Sequence, residues 1–331
     1  MIETTLSETR AANQTDASAN QPSSQPMHCM EVWGGSELTS RGVAFGGLEA
    51  WVYSKPYGGA LDGGDVYYAS SCATGRIARF LLADVAGHGT AVADTANGLK
   101  GLMRRFVNRL DQAEVVRLLN RQFAEVAPCG VFATAIVATF FSPSRRLSVC
   151  NAGHPRPLLY RAARREWSFL AADEEAPCLN SRNVPLGIFD MTEYEHFDVE
   201  LEAGDCVLAY TDALMEAAGP DGQILGEDGL LQLVRGLDHA SPKELAESLL
   251  RETDIRCPAA LSCDDVTVMV LRASGRPLKF SLSEKLRAFG RFFKTLCASL
   301  RPGAERAPFP DWNLANLAGV FIPALARRWR A

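Results

Sequence analysis

Acidic residues in this 331-residue chain recur where an apolar stretch gives way to a turn. Asp65 follows two glycines in Gly63-Gly64-Asp65-Val66-Tyr67, and Asp84 lies in Ala83-Asp84-Val85-Ala86-Gly87-His88-Gly89. Asp212 closes Leu208-Ala209-Tyr210-Thr211-Asp212, and Asp264-Asp265 opens the run Val266 to Leu271. An acid at the end of an apolar strand points into the rim of a sheet, where glycines let the backbone come close. If these rims converge, several carboxylates share one site. Like charges resist that, since two carboxylates about 4 Å apart repel by about 4 kcal/mol at an effective dielectric near ~20. A cluster of four therefore needs cations among its members. Oxygen ligands without His or Cys select hard ions, Mg²⁺ or Mn²⁺. Two such ions about 3.5–4 Å apart clamp a bridging water and activate it for in-line attack on a phosphoryl group. Each aspartate taken singly is an ordinary turn or cap residue. Four in similar contexts point to one centre.

Two histidines stand beside these acids. His88 sits between a strand and a helix, where free backbone N–H groups and the helix dipole favour anions. It could serve as general acid for a leaving alkoxide, or be a loop histidine facing solvent. His154, in Asn151-Ala152-Gly153-His154-Pro155, reads first as a hydrogen-bonded structural residue of a tight turn, and second as a participant in chemistry. The chain has no nucleophile elbow, no Walker A run and no G-x-G-x-x-G after a strand.

The elements that must carry these residues follow from apolar patterning. Residues 80–85, 133–141, 147–150, 206–210 and 266–271 read as strands, the second and third forming a hairpin around Pro143. Residues 90–108 show helical spacing of Ala91, Ala96, Leu99, Leu102, Met103 and Phe106. Ser241-Pro242-Lys243-Glu244 is a capping box with Pro at the first helical position, opening a helix to about Arg251. Strands in hairpins with a few helices argue an α+β fold. Residues 1–27, rich in Ser, Thr, Asn and Gln, read as a disordered polar leader, because they bury too little to offset their ordering entropy. The folded domain is expected over 28–272 and a separate tail over 273–331.

Composition narrows the class. The chain is 47% hydrophobic and 22% charged with a formal net charge of −5, which excludes a wholly disordered or fibrous chain and argues against a nucleic-acid binder. Nine scattered cysteines with no C-x-x-C pair, and five histidines with no H-x-x-x-H, argue against zinc or a disulfide framework. They suit free thiols in a reducing cytosol. The first residues carry no signal-peptide pattern and no stretch is long enough to span a bilayer, so the expected location is cytoplasmic.

Taken in order, Gly63-Gly64-Asp65, Asp84-Val85-Ala86-Gly87-His88-Gly89, Asn151-Ala152-Gly153-His154-Pro155, Pro185-Leu186-Gly187, Tyr210-Thr211-Asp212 and Asp264-Asp265-Val266-Thr267 resemble the SpoIIE/RsbU-type branch of the metal-dependent PPM serine/threonine phosphatases. The motifs span about residues 46–271. The resemblance implies a four-layer αββα sandwich with two Mn²⁺ or Mg²⁺ ions at one end. By position, Asp84 would bridge both metals and the Val85 carbonyl would help hold the second. Asp212 and Asp264 would complete the first metal's shell, with Asp265 the adjacent alternative to Asp264. Asp65 would serve the second metal, directly or through water. The implied substrate is phosphoserine or phosphothreonine on a STAS-domain anti-anti-sigma-type regulator in a partner-switching pathway. Other readings are a phosphatase-like partner-binding module with little turnover, and a hydrolase of a small phosphate ester. The chain departs from the family in having Ala213 where Gly is usual, followed by Leu214-Met215 before Glu216. An alanine there would strain a turn that needs positive φ.

The tail is of different character. Residues 272–331 hold 12 basic and three acidic side chains, a balance of +9 that leaves −14 on the rest. Leu282, Leu286, Phe289, Phe293, Leu296 and Leu300 form an apolar helical stripe flanked by Lys and Arg. One reading is an interfacial anchor on an anionic membrane surface, peripheral at the inner membrane. The other is packing on the domain or self-association with a second copy.

Overall fold

The computed structural model describes residues 24–27, 31–72, 76–87, 90–106, 111–170, 183–238 and 241–275, together with Gly290. His88, nearly all of the expected leader and nearly all of the expected tail lie outside the described residues. The strands are β1 (Gln25–Pro26), β2 (Val32–Glu37), β3 (Thr39–Phe45), β4 (Leu48–Lys55), β5 (Asp62–Ser71), β6 (Ile77–Val85), β7 (Ala133–Phe141), β8 (Arg146–Ala152), β9 (Leu158–Arg161), β10 (Glu166–Phe169), β11 (Phe197–Glu200), β12 (Cys206–Tyr210) and β13 (Val266–Ala273). The helices are α1 (Thr90–Phe106), α2 (Gln112–Val126), α3 (Gly226–Arg235) and α4 (Pro242–Arg256).

Two sheets stack face to face, one antiparallel but for the parallel β1–β3 pair and one wholly antiparallel. One runs β1-β3-β4-β13-β12-β9-β10, the other β11-β8-β7-β6-β5-β2. Helices α1 and α2 cover the six-stranded sheet, and α3 and α4 cover the seven-stranded one. This is the expected αββα sandwich. Its central strands are buried on both faces, so they read as nearly continuous apolar runs. Alternation still sorts their side chains. On β5 and β6, Tyr67, Phe80 and Leu82 face the other sheet, while Val66, Tyr68 and Leu81 face the helices. On β13, Met269 and Leu271 close the layer between the sheets, and Val268 and Val270 meet α4's side. Phe45 and Phe80 meet edge to face across that layer, their centroids 5.1 Å apart.

Local signals explain most boundaries. Ser241 accepts from the Glu244 amide at the start of α4, as the capping box predicts, and α4 runs on to Arg256. Asp111 caps α2 in the same way. A two-residue strand, Gln25–Pro26, pairs in parallel with β3 inside the segment read as leader. Among the described residues, no helix is long and apolar enough to cross a membrane.

One buried polar network fastens the α1–α2 layer. Arg79, 1% exposed, projects from β6 toward the helices. Its guanidinium donates to the Phe106 carbonyl at the end of α1 (2.7 Å) and to Thr139 Oγ1 (3.1 Å). Thr139 donates to Gln112 Oε1, and Gln112 Nε2 donates to the Val137 carbonyl, both at 2.6 Å. A buried cation is tolerated only where its donors are matched. Arg79→Met should therefore lower stability by about 3 kcal/mol in urea unfolding, since it strands buried acceptors. A loss below about 0.5 kcal/mol would show the network to be energetically idle.

Candidate metal centre at one end of the sandwich

The two sheets bring the acids together at one end. Asp65 is the fourth residue of β5 and pairs in register with Asp84, next to last on β6. Asp65 thus lies inside its strand, not at a terminus. By alternation both side chains share the face of Tyr67, Phe80 and Leu82, toward the other sheet. Asp212 follows β12 and opens the 3-10 turn Asp212–Leu214 on the opposite sheet. Asp264-Asp265 immediately precedes β13, the antiparallel neighbour of β12. The end of one sheet's β5–β6 pair thereby faces the end of the other's β12–β13 pair.

Glycines make the close approach possible. A Cβ on Gly63 would lie 2.4 Å from Asp265 Oδ1, and one on Gly64 would lie 3.0 Å from the carbonyl oxygens of Val85 and Gly87. Hence the Val85 carbonyl, expected to be a ligand, is reached across the Gly64 backbone. Asp65, 2% exposed, accepts from Thr211 Oγ1 at 2.9 Å. Thr211 Oγ1 in turn accepts from the Thr267 amide, and Thr267 Oγ1 donates to Ser54 Oγ, each at 2.9 Å. A hydroxyl chain from the seven-stranded sheet therefore supports a carboxylate of the six-stranded one.

The neighbours Asp264 and Asp265 do different work. Asp265 is 3% exposed, and its two oxygens accept from the main-chain amides of Tyr57 (2.6 Å) and Gly64 (2.7 Å). Asp264 is partly exposed and accepts from the Asp265 amide at 2.7 Å. Asp265 thus clasps the strand carrying Asp65, and Asp264 is the one whose carboxylate is open to the shared space.

Electrostatics show that the cluster is under strain. Burial, then Asp212, Asp264, Asp265 and Glu216, pushes Asp84 up to about 7. Burial and the Asp84 charge raise Asp65 well above the usual carboxylate range, against the opposing hydrogen bonds of Thr267 and Thr211. Asp212 is raised by burial, Glu216 and Asp264. The charges acting most strongly on Asp84 are all negative, so among the described residues no positive charge offsets them enough for it to ionise fully. Among the described residues, no three acidic, His or Cys side chains are already closed around one point. The donor set is nonetheless all oxygen, acidic and short of countercharge, which fits Mg²⁺ or Mn²⁺.

Glu216 belongs to this group although the sequence reading passed over it. The chain turns helically after Tyr210, and the Glu216 amide donates to the Asp212 carbonyl at 2.8 Å. Acids four residues apart then share a side. Ala213 is buried in that turn. Among described non-glycine residues, positive φ is confined to Arg145, Arg165, Asn183 and Ala259. The strain expected of an alanine at this place is therefore absent.

His154 is 5% exposed and lies at the same end. Its Nδ1 is 2.7 Å from Thr134 Oγ1, and Thr134 is the register partner of Asp84 on β7. Asn151 accepts from the His154 amide and donates to its carbonyl, both at 2.8 Å, fixing the turn. Burial drives its pKa down to about 3, only partly opposed by the Tyr210 backbone. A histidine held neutral in the fold contributes stability that is complete above about pH 6.5 and is lost as pH falls toward 3. His154→Gln should flatten the fall in unfolding free energy between pH 6.5 and 4. An unchanged slope would mean that His154 protonates without cost.

The fold and the acidic rim together define a phosphatase sandwich of PP2C type with its acids gathered at one end. Residues 74–274 match the family model described as Stage II sporulation protein E (SpoIIE), and the chain belongs to this family, the SpoIIE/RsbU-type branch of the PPM phosphatases. It is similar to the phosphoserine phosphatase RsbU of Bacillus subtilis, 26% identical over 196 residues, a match covering 58% of this chain and 54% of RsbU. The matched segment thus spans about half of that relative. Among solved structures it resembles the RsbU and RsbW domains of Rv1364c from Mycobacterium tuberculosis (TM-score 0.59, 21% identity, 78% of this chain and 71% of that one). It also resembles the PP2C phosphatase domain of SpoIIE from Bacillus subtilis with a fragment of its regulatory domain (TM-score 0.55, 18% identity, 74% and 64%).

Proposed function

We propose that this protein is a metal-dependent protein serine/threonine phosphatase that hydrolyses phosphoserine or phosphothreonine by direct attack of water. The observation that carries this reading is the convergence of Asp65, Asp84, Asp212 and Asp264 from two sheets, with no basic side chain among the strongest charges on Asp84. Asp84 is assigned to both ions, Asp212 and Asp264 to the first, and Asp65 with the Val85 carbonyl to the second. Two Mn²⁺ or Mg²⁺ ions bound there would polarise a water and offset charge on the phosphoryl oxygens. Thr211 orients the Asp65 carboxylate, and Asp265 holds the Gly63-Gly64 stretch of β5 in place beside it. His88, four residues beyond Asp84, is assigned as the proton donor to the departing Ser or Thr oxygen. The P–O bond to that oxygen breaks as the water oxygen bonds to phosphorus, releasing phosphate and the free hydroxyl.

The surface beside the acids favours a protein over a small ester. The Phe132 carbonyl accepts from the Ala86 amide at 2.9 Å, one residue past Val85. Phe132 exposes its apolar side chain there, and the loop that follows Leu186, the bridge partner of Ala133, exposes Ile188, Phe189 and Met191. Similarity to the phosphoserine phosphatase RsbU supports a phosphoserine protein substrate, and the substrate we propose is a phosphorylated STAS-domain regulator in a partner-switching pathway. The test is phosphate release from phosphorylated STAS proteins of the same genome, with Mn²⁺ or with chelator. Faster Mn²⁺-dependent release from a STAS phosphoprotein than from p-nitrophenyl phosphate supports the reading. Turnover confined to the small ester, or none at all, contradicts it.

A further inference from the structure

His154 is used by none of the steps above, yet it is placed between the two halves of the acidic rim. Thr134, like Asp84, lies on the face of its sheet that meets the other sheet, as the alternation of Ile136 and Ala138 on β7 shows. Thr134 and Asp84 are directly opposed on neighbouring strands. On the other side of the imidazole lies the backbone of Tyr210, two residues before Asp212. The ring cannot drift, because Asn151 grips its main chain from both sides and Gly153, at φ +67, packs against Pro185. Its Nε2 is buried and faces the Tyr210 main chain without a well-aligned hydrogen-bond partner among the described residues. A nitrogen left in that condition costs free energy, and apolar replacement would be preferred if His154 only filled space.

We propose that His154 is a positioning residue that spaces the Asp84 strand against the Tyr210–Asp212 strand end, and so sets the affinity of the centre for its cations. The imidazole is a rigid spacer. Its Nδ1 side is fixed to Thr134, and its Nε2 edge abuts the other sheet. Because Thr134 and Asp84 move as one ladder pair, loss of the spacer lets the two carboxylate pairs drift apart. Outer-shell changes of this kind weaken metal binding by about 10- to 100-fold. The proposal rests on the metal-centre reading, and its test does not depend on turnover.

The experiment is calorimetric titration of the full chain with Mn²⁺ for wild type, Thr134→Val, His154→Ala, His154→Gln and the Thr134→Val/His154→Ala double variant. Kinetics on a phosphoprotein accompany it. His154→Ala should bind Mn²⁺ at least about tenfold more weakly. Thr134→Val should weaken binding in the same direction, and the double variant should bind no worse than His154→Ala. His154→Gln, which retains a donor and an acceptor, should recover most of the affinity. The kinetic loss should fall on kcat at fixed Mn²⁺, with KM for the phosphoprotein unchanged. Wild-type affinity in Thr134→Val and His154→Ala, or additive losses in the double variant, would overturn the proposal. If His154→Ala does not fold, Thr134→Val and His154→Gln decide by the same titration. Wild type that binds Mn²⁺ but hydrolyses nothing would refute the phosphatase reading while leaving His154 to be judged on affinity.

Discussion

Asp84→Asn should reduce Mn²⁺-dependent phosphate release by about three orders of magnitude or more, a loss of about 4 kcal/mol in transition-state stabilisation. The side chain is raised to about 7 by burial and by four other acids, so near neutral pH it is only partly ionised until cations are supplied. An amide at this place offers one neutral oxygen and cannot compensate two dications. The fold should survive, because among the described residues Asp84 anchors no backbone group comparable to those held by Asp265. Removing one of several repelling carboxylates should leave the metal-free protein as stable or more so near pH 7. The check is to measure turnover together with unfolding in chelator. Retained turnover would remove Asp84 from the centre. Lost turnover together with a large loss of stability would make its role structural.

The second large effect separates two adjacent residues. Asp264→Asn should lower turnover by about 100-fold or more with little change in stability, because its carboxylate is partly exposed and faces the cluster. Asp265→Asn should instead cost about 1–3 kcal/mol of stability. The carboxylate satisfies the Tyr57 and Gly64 amides with separate oxygens, and an amide keeps only one of them. Saturating Mn²⁺ should restore part of its activity by stabilising the folded form. If Asp265→Asn proves inactive at normal stability and Asp264→Asn stays active, the two roles are reversed.

Much of this centre was legible before any coordinates. Ala133–Phe141 is a strand over the residues its apolar run predicts, because both of its faces are buried and no turn residue interrupts it. The acids at Asp84, Asp212 and Asp264-Asp265 mark strand ends for the same reason. Asp65 does not, since Gly63 and Gly64 imitate a turn while lying within β5. The glycines are there for the Asp265 carboxylate and the Val85 carbonyl, a tertiary cause that local propensity cannot express. The choice between Asp264 and Asp265 was equally hidden, because it depends on which of them reaches the Tyr57 and Gly64 amides some 200 residues away. Glu216 carried a readable signal, its four-residue spacing from Asp212, but only if a helical turn follows Tyr210. Thr211 and Thr267 looked like ordinary β-branched strand residues, and their hydroxyl chain to Asp65 exists only once the sheets are stacked.

The most direct test of the account is anomalous difference density at the manganese edge from crystals of the protein grown with Mn²⁺. The account predicts two peaks at the open end of the sandwich. One would lie between Asp84, Asp212 and Asp264, the other between Asp84, Asp65 and the Val85 carbonyl, with the Asp265 oxygens still on the Tyr57 and Gly64 amides. No peak among these carboxylates at saturating Mn²⁺, or a peak bound through Asp265 with Asp264 turned to solvent, would contradict it.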